Sequence, residues 1–145
     1  MKLKYNSINF SVVDVTALLA INGMEENDVC VVTDEGQGGT FIYRSADALT
    51  NNGGTIFNGW CRDYSGAINV KWFIKPTDTD DTAGIQAALN NTPSAGKCVI
   101  PVGNYNVTGL VLPEKVIHII GDGSTLDSGV NIIVSGLLGI DTRSI

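Results

Sequence analysis

Apolar residues in this chain come in short runs, and most runs are closed within a few residues by glycine, asparagine or proline. The longest run, Val15 to Ile21, has seven residues and contains Thr16. No such run can cross a bilayer as a helix, which needs about 20 apolar residues. The core must therefore be assembled from short pieces joined by turns. Gly, Asn and Thr make up 42 of the 145 residues, and these types favour turns and strands over helices. Hydrophobic residues are 43% of the chain, enough to exclude general disorder. The chain reads as mainly β.

Length allows one average domain or two small ones. Fifteen acidic residues against nine basic ones leave a net charge of −6. That balance argues against nucleic acid, whose phosphates need clustered Lys and Arg, and against anionic membranes. Met1-Lys2-Leu3-Lys4 looks like the start of a signal peptide, but Asn6, Asn9 and Asp14 interrupt any apolar stretch behind it. Cys30, Cys61 and Cys98 are an odd number with gaps of 31 and 37, which fits neither a disulfide framework nor a zinc site. They are read as buried, reduced residues of a chain made in a cytoplasm, so the Asn106-Val107-Thr108 sequon has no role.

Along the chain, Asp14 is the expected N-cap of a short helix with Val15, Leu18 and Leu19 on one face and Gly23 just past its end. Val29–Thr33 and Thr40–Arg44, joined by the glycine-rich stretch at 34–39, predict a hairpin. Asn51-Asn52-Gly53-Gly54 is a turn, followed by the β-prone Thr55-Ile56-Phe57 and Trp60-Cys61-Arg62. Ile68 to Trp72 alternates apolar and polar as a half-buried strand does. Residues 1–66 are thus expected to form a small antiparallel β unit with one helix. Residues 67–82 are read as a connector, ending in a polar stretch with helix-start chemistry. Ile85, Ala88 and Leu89 then mark a helix that Asn90-Asn91-Thr92-Pro93 stops. The rest is short strands at 97–101, 105–107, 110–112, 116–120 and 131–134, which suits a sandwich or the first coils of a solenoid.

Candidate chemistry is sparse. Asp80 and Asp81, with Asp78, form a carboxylate group that a glycosidase could use, but N-capping explains the pair. A calcium loop starting at Asp78 fails, with Ala83 where glycine is needed and Leu89 where glutamate is needed. Cys98 and His118 are a conceivable nucleophilic dyad, yet His118 sits in an alternating strand and has no third partner. Gly121-Asp122-Gly123 and Gly96-Lys97 lack the remaining residues of phosphate loops. No catalytic, cofactor or metal site is expected. Trp60, Tyr64, Trp72 and Phe73 are read as core or interface aromatics, with sugar stacking as the competing role. Glu25, Glu26, Asp28, Asp34 and Glu35 are five of the eight acids in residues 1–66, with no base among them. They form the one electrostatic candidate for a docking surface.

Seven blocks, in order, carry a family resemblance. Gly38-Gly39-Thr40-Phe41, Asn52-Gly53-Gly54-Thr55, Gly59-Trp60 and Val70-Lys71-Trp72-Phe73 resemble the N-terminal region of bacteriophage tailspike proteins. Asp80-Asp81-Thr82-Ala83 with Ile85-Gln86-Ala87-Ala88-Leu89 looks like the helix that caps a pectate-lyase-like right-handed β-helix. Ile100 to Tyr105 and Ile119 to Ser124 resemble its first coils. Ile74-Lys75-Pro76-Thr77 departs from the family's glycine-rich turn, which implies a different path for the connector. The resemblance implies a virion-anchoring β domain at 1–66 and, at 83–145, a capping helix with the first coils of an incomplete β-helix. It further implies a structural virion protein, a homotrimer, attached to a phage tail, baseplate or adaptor protein. The alternatives are part of a capsule or O-antigen depolymerase whose catalytic region lies beyond this chain, touching host polysaccharide through a longer parent, and a non-catalytic glycan-binding module.

Overall fold

In the computed structural model, residues 9–122 and the backbone of 125–126 and 132–134 are described, and the chain divides after Tyr64 into two units with separate cores. The expectation about Met1-Lys2-Leu3-Lys4 lies outside the described residues.

The first unit begins with strand β1 (Asn9–Val12) and helix α1 (Val15–Leu19). Asp14 caps α1, its Oδ1 accepting the Ala17 N–H at 2.8 Å, while Ala20 rather than a glycine ends the helix. Strands β2 (Val29–Val32) and β3 (Gly39–Tyr43) form the expected antiparallel hairpin. Strands β4 (Ile56–Phe57) and β5 (Trp60–Arg62) are joined by Asn58-Gly59, both at positive φ, as a two-residue hairpin loop requires. The sheet order is β1-β2-β3-β5-β4. It is mixed rather than antiparallel, because β1 runs parallel to β2. The reason lies in α1, which returns the chain to the starting end of β1 before β2 begins, as a crossover between parallel neighbours does. Leu18, Cys30, Val32, Phe41, Phe57 and Trp60 are the buried core, with Phe10, Val12 and Tyr43 packed against them.

The second unit opens with strand β6 (Ile68–Asn69), but the alternating run at 68–72 does not continue as a strand. Val70–Phe73 is a 3-10 turn, capped by the Asn69 side chain, which accepts the Lys71 N–H at 2.9 Å. Val70 and Phe73 are both buried, because positions three apart share a face in that helix. Ile68, Val70 and Phe73 therefore belong to the second core, and the residues expected as connector help to build it. Helix α2 (Thr82–Asn91) follows and buries Gly84, Ile85, Ala88 and Leu89.

Strands β7 (Lys97–Ile100), β8 (Asn104–Tyr105) and β9 (Leu110–Leu112) then pair in parallel with β10 (His118–Gly121), β11 (Thr125–Leu126) and β12 (Ile132–Val134). The registers are Lys97 with His118, Asn104 with Thr125 and Leu110 with Ile132, spacings of 21, 21 and 22 residues. Three pairings at nearly one spacing are a repeat in backbone terms, which the residue types alone do not show. Among the described residues no helix is long and apolar enough to cross a membrane.

Candidate functional site

The acidic turn separates into carboxylates that hold the fold and carboxylates that face solvent. Asp28 is 1% exposed. Its Oδ2 accepts the Glu25 N–H at 2.9 Å and its carbonyl accepts the Tyr43 N–H at 2.8 Å. It closes the turn and is not part of a surface. Asp28 directly precedes β2 and lies in step with buried Cys30 and Val32, which is why the carboxylate points inward. Half-buried Asp34 accepts the N–H groups of Gly36 and Gln37 at 3.2 and 2.7 Å, folding the glycine-rich loop on itself. Glu26 accepts the Ser45 N–H at 2.8 Å and lies 3.7 Å from Arg44, a base that the fold brings beside the turn. Its pKa is lowered, first by the hydrogen bonds to Ser45 and then by Arg44. Glu25 and Glu35 remain exposed.

Arg62 is the residue that sequence reasoning missed. It follows Trp60 by two positions in β5, so both side chains face inward, and Arg62 is only 7% exposed. Its Nε donates to the Gly54 carbonyl at 2.9 Å, and its two terminal nitrogens donate to the Gly38 and Gln37 carbonyls at 2.5 and 2.7 Å. The guanidinium also lies over the Phe41 ring, 4.6 Å from its centroid. Burial pulls its pKa down to about 10, far enough above neutrality to keep the cation. One side chain thereby ties the glycine-rich loop to the turn at 51–54. Gly39 leaves room for it, since a Cβ there would lie 2.6 Å from the guanidinium.

Trp60 is buried against Phe10 and Tyr43 in edge-on geometry, at centroid distances of 6.2 and 5.5 Å. Among the described residues its indole N–H has no hydrogen-bond partner. Phe73 is buried in the second core, Trp72 packs half-buried against it, and Tyr64 is exposed. All three cysteines are free, but Cys61 is half-buried rather than buried, with its thiol 3.4 Å from Asp47. Burial, then Asp47, pushes the Cys61 pKa up to about 11, and burial pushes that of Cys98 equally high. Cys98 pairs with Ile119 in the parallel register, so His118 points to the opposite face and the dyad does not form.

The start of α2 divides the two capping roles. Asp80 Oδ1 accepts the Thr82 N–H at 2.8 Å. Asp81 occupies the cap position without a capping hydrogen bond; its Oδ2 accepts the Asn106 N–H at 2.8 Å while its own N–H donates to the Asn106 carbonyl at 2.7 Å. The same pattern runs down the helix. Thr82 Oγ1 accepts the Thr108 N–H at 2.9 Å. The Gln86 amide accepts the Val111 N–H at 2.8 Å and donates to the Val111 carbonyl at 2.7 Å, as a neighbouring strand would. Lys115 Nζ closes the row on the Asn90 carbonyl at 2.7 Å. Helix α2 and β6 together cover one edge of the first three parallel strands, an edge that would otherwise offer unpaired backbone to other chains.

Hydrogen bonding to Thr82 lowers the Asp80 pKa below its ordinary 3.8. The folded value lies below the unfolded one, so the unfolded chain binds more protons near that pH. The stabilisation is present above about pH 3.8 and is lost as pH falls through the folded value. Asp80→Asn should flatten the acid limb of the thermal-unfolding profile of the second unit. An acid limb identical to wild type would remove Asp80 from the account.

No protein-family model matches the chain, and no curated protein matches it in sequence. Solved structures do match in fold. The tailspike of Acinetobacter phage vB_ApiP_P1 aligns with 92% of this chain at 22% identity and a TM-score of 0.54. The tailspike of Acinetobacter phage vb_AbaP_AS12 aligns with 91% at 20% identity and a TM-score of 0.59. This is a fold that phage tailspikes contain. The chain spans 28% and 22% of the lengths of these two tailspikes. The tailspike resemblance in the sequence and the likeness in fold agree. Two of the blocks that carry that resemblance, at 38–41 and 52–55, include the loops that Arg62 ties together.

Proposed function

We propose that this chain is the N-terminal part of a phage tailspike and that its work is mechanical. Residues 1–66 anchor the protein to the tail, baseplate or an adaptor of the virion, and α2 with the following strands opens a right-handed parallel β-helix that forms the shaft. The observation that carries the reading is the repeat of parallel pairings at 21, 21 and 22 residues with α2 closing one edge, which supports a solenoid that starts here. The functional form is a homotrimer, and any cleavage or binding of host polysaccharide is the work of a longer parent. The exposed carboxylates Glu25 and Glu35 are the docking charges.

A reporter fused to the full chain should be incorporated into assembling particles of the phage that encodes it. The same reporter fused to residues 65–145 should stay in the supernatant. Particles decorated by 65–145 alone would overturn the division of labour. Glu25→Lys with Glu35→Lys should slow incorporation, and an unchanged rate at low salt would remove the electrostatic part.

A further inference from the structure

Asparagine followed by glycine occurs three times, at Asn22-Gly23, Asn52-Gly53 and Asn58-Gly59. In such a step the glycine nitrogen can reach the asparagine side-chain carbon, because glycine has no Cβ to obstruct the approach. The structure treats the three steps differently, and from this we infer that Asn22 is a self-modification site of the folded chain, converting spontaneously to aspartate and isoaspartate. The Gly23 nitrogen attacks Cγ of Asn22, a C–N bond forms, and the Cγ–Nδ2 bond breaks. Nδ2 leaves as ammonia with the amide proton, closing a five-membered imide. Water then opens either imide carbonyl, giving aspartate or isoaspartate with no change of oxidation state.

Asn22 has the freedom that this ring closure needs. It lies just beyond α1 and is exposed, and among the described residues its side chain makes one hydrogen bond, a 3.2 Å contact to the Ala20 carbonyl. Gly23 is exposed at φ +71°, and nothing lies within 4 Å of where a Cβ would stand, so no neighbour is packed against that side of the step.

Asn52 is held instead. Its Oδ1 accepts the N–H groups of Gly54, Thr55 and Ile56 at 3.1, 2.9 and 3.0 Å, and its Nδ2 donates to Thr55 Oγ1 at 2.7 Å. The nitrogen that would attack, that of Gly53, is engaged with Asn51 Oδ1 at 3.0 Å. Asn58 is held through its backbone. Its N–H donates to the Thr50 carbonyl at 2.7 Å, and the buried Gly59, wedged against the Tyr43 ring, accepts the Arg44 N–H at 2.7 Å. Swinging the glycine nitrogen onto the side chain would break the bonds within 51–56 at the one step and disturb those flanking 58–59 at the other. Conversion at Asn22 adds one negative charge three residues before Glu25, at the edge of the acidic turn.

The test is to incubate the full, folded chain in mildly alkaline buffer and follow all three steps by peptide mass analysis with enzymatic labelling of isoaspartate. A parallel sample in urea removes the fold. In the folded chain Asn22 should convert roughly tenfold or more ahead of Asn52 and Asn58, the ratio expected when at least two hydrogen bonds must open first. In urea the three rates should converge. Asn22→Gln should abolish the earliest acidic species seen on isoelectric focusing. Asn52 or Asn58 keeping pace in the folded chain would overturn the inference, as would an equal lead of Asn22 in urea or an acidic species that persists in Asn22→Gln.

Discussion

Arg62→Met is expected to destabilise the first unit by about 2–4 kcal/mol, more than any other single polar change in it. Two effects oppose each other here. Burying a guanidinium costs several kcal/mol, and methionine removes that cost. The three carbonyls of Gln37, Gly38 and Gly54 cannot be removed with it, and each buried acceptor left dry costs about 1–3 kcal/mol. The lost contact with Phe41 adds about 1 kcal/mol in the same direction. The loss of three hydrogen bonds, two of them buried, outweighs one relieved charge. Arg62→Lys should fall between, because an ammonium cannot span two loops with the fixed fork of a guanidinium. Each unit contains one of the two tryptophans, so Trp72→Phe leaves Trp60 as a fluorescent reporter of the first unit alone in a urea titration. A double-mutant cycle sharpens the test. Gly39→Ala should cost less in the Arg62→Met background, because the clash at 2.6 Å has lost its partner. Full additivity, or an Arg62→Met midpoint equal to wild type, would show that the tie contributes nothing.

What could be read in advance was whatever is local. The hairpin β2–β3 followed from two β-prone runs around a glycine-rich loop, and α2 followed from apolar residues at 85, 88 and 89. The parallel placement of β1 was not legible, because nothing in Asn9–Val12 distinguishes a parallel from an antiparallel neighbour. At 70–73 the alternation of Val, Lys, Trp and Phe fits a strand as well as it fits a 3-10 turn. The choice was made by the Asn69 cap and by the burial of Val70 and Phe73 on one side. Asp28 was misassigned to a docking surface and Arg62 was passed over for one shared reason: a charged residue was not weighed as a buried one. The signal for burial was present, since Arg62 is two residues from Trp60 and Asp28 is two residues from Cys30, and period two puts each on the buried face. Gln86 could not have been found this way. Its role depends on a strand edge 25 residues further on, at Val111.

Gly84→Ala is expected to destabilise the second unit by about 1–3 kcal/mol, against what helix propensity alone would give. Alanine inside a helix is favoured over glycine by about 0.5–1 kcal/mol, so a surface position would gain from the change. At Gly84 the helix instead approaches the 3-10 turn so closely that a Cβ would stand 2.7 Å from Ile74 Cγ1 and 2.8 Å from the Phe73 carbonyl oxygen. The Ile74 side chain can rotate, but the Phe73 carbonyl belongs to backbone whose neighbouring side chain is buried in the core, and it has no room to retreat. The helix must lift. Lifting strains the hydrogen bonds from Asp81, Thr82 and Gln86 to the strand edge, which fix where the helix lies. Packing therefore wins over propensity, and Gly84→Val should cost more than Gly84→Ala because its branched side chain adds bulk at the same contact. Denaturant unfolding followed by Trp72 in a Trp60→Phe background would measure both. A Gly84→Ala midpoint at or above wild type would mean that the helix is not seated on the turn as closely as the geometry states.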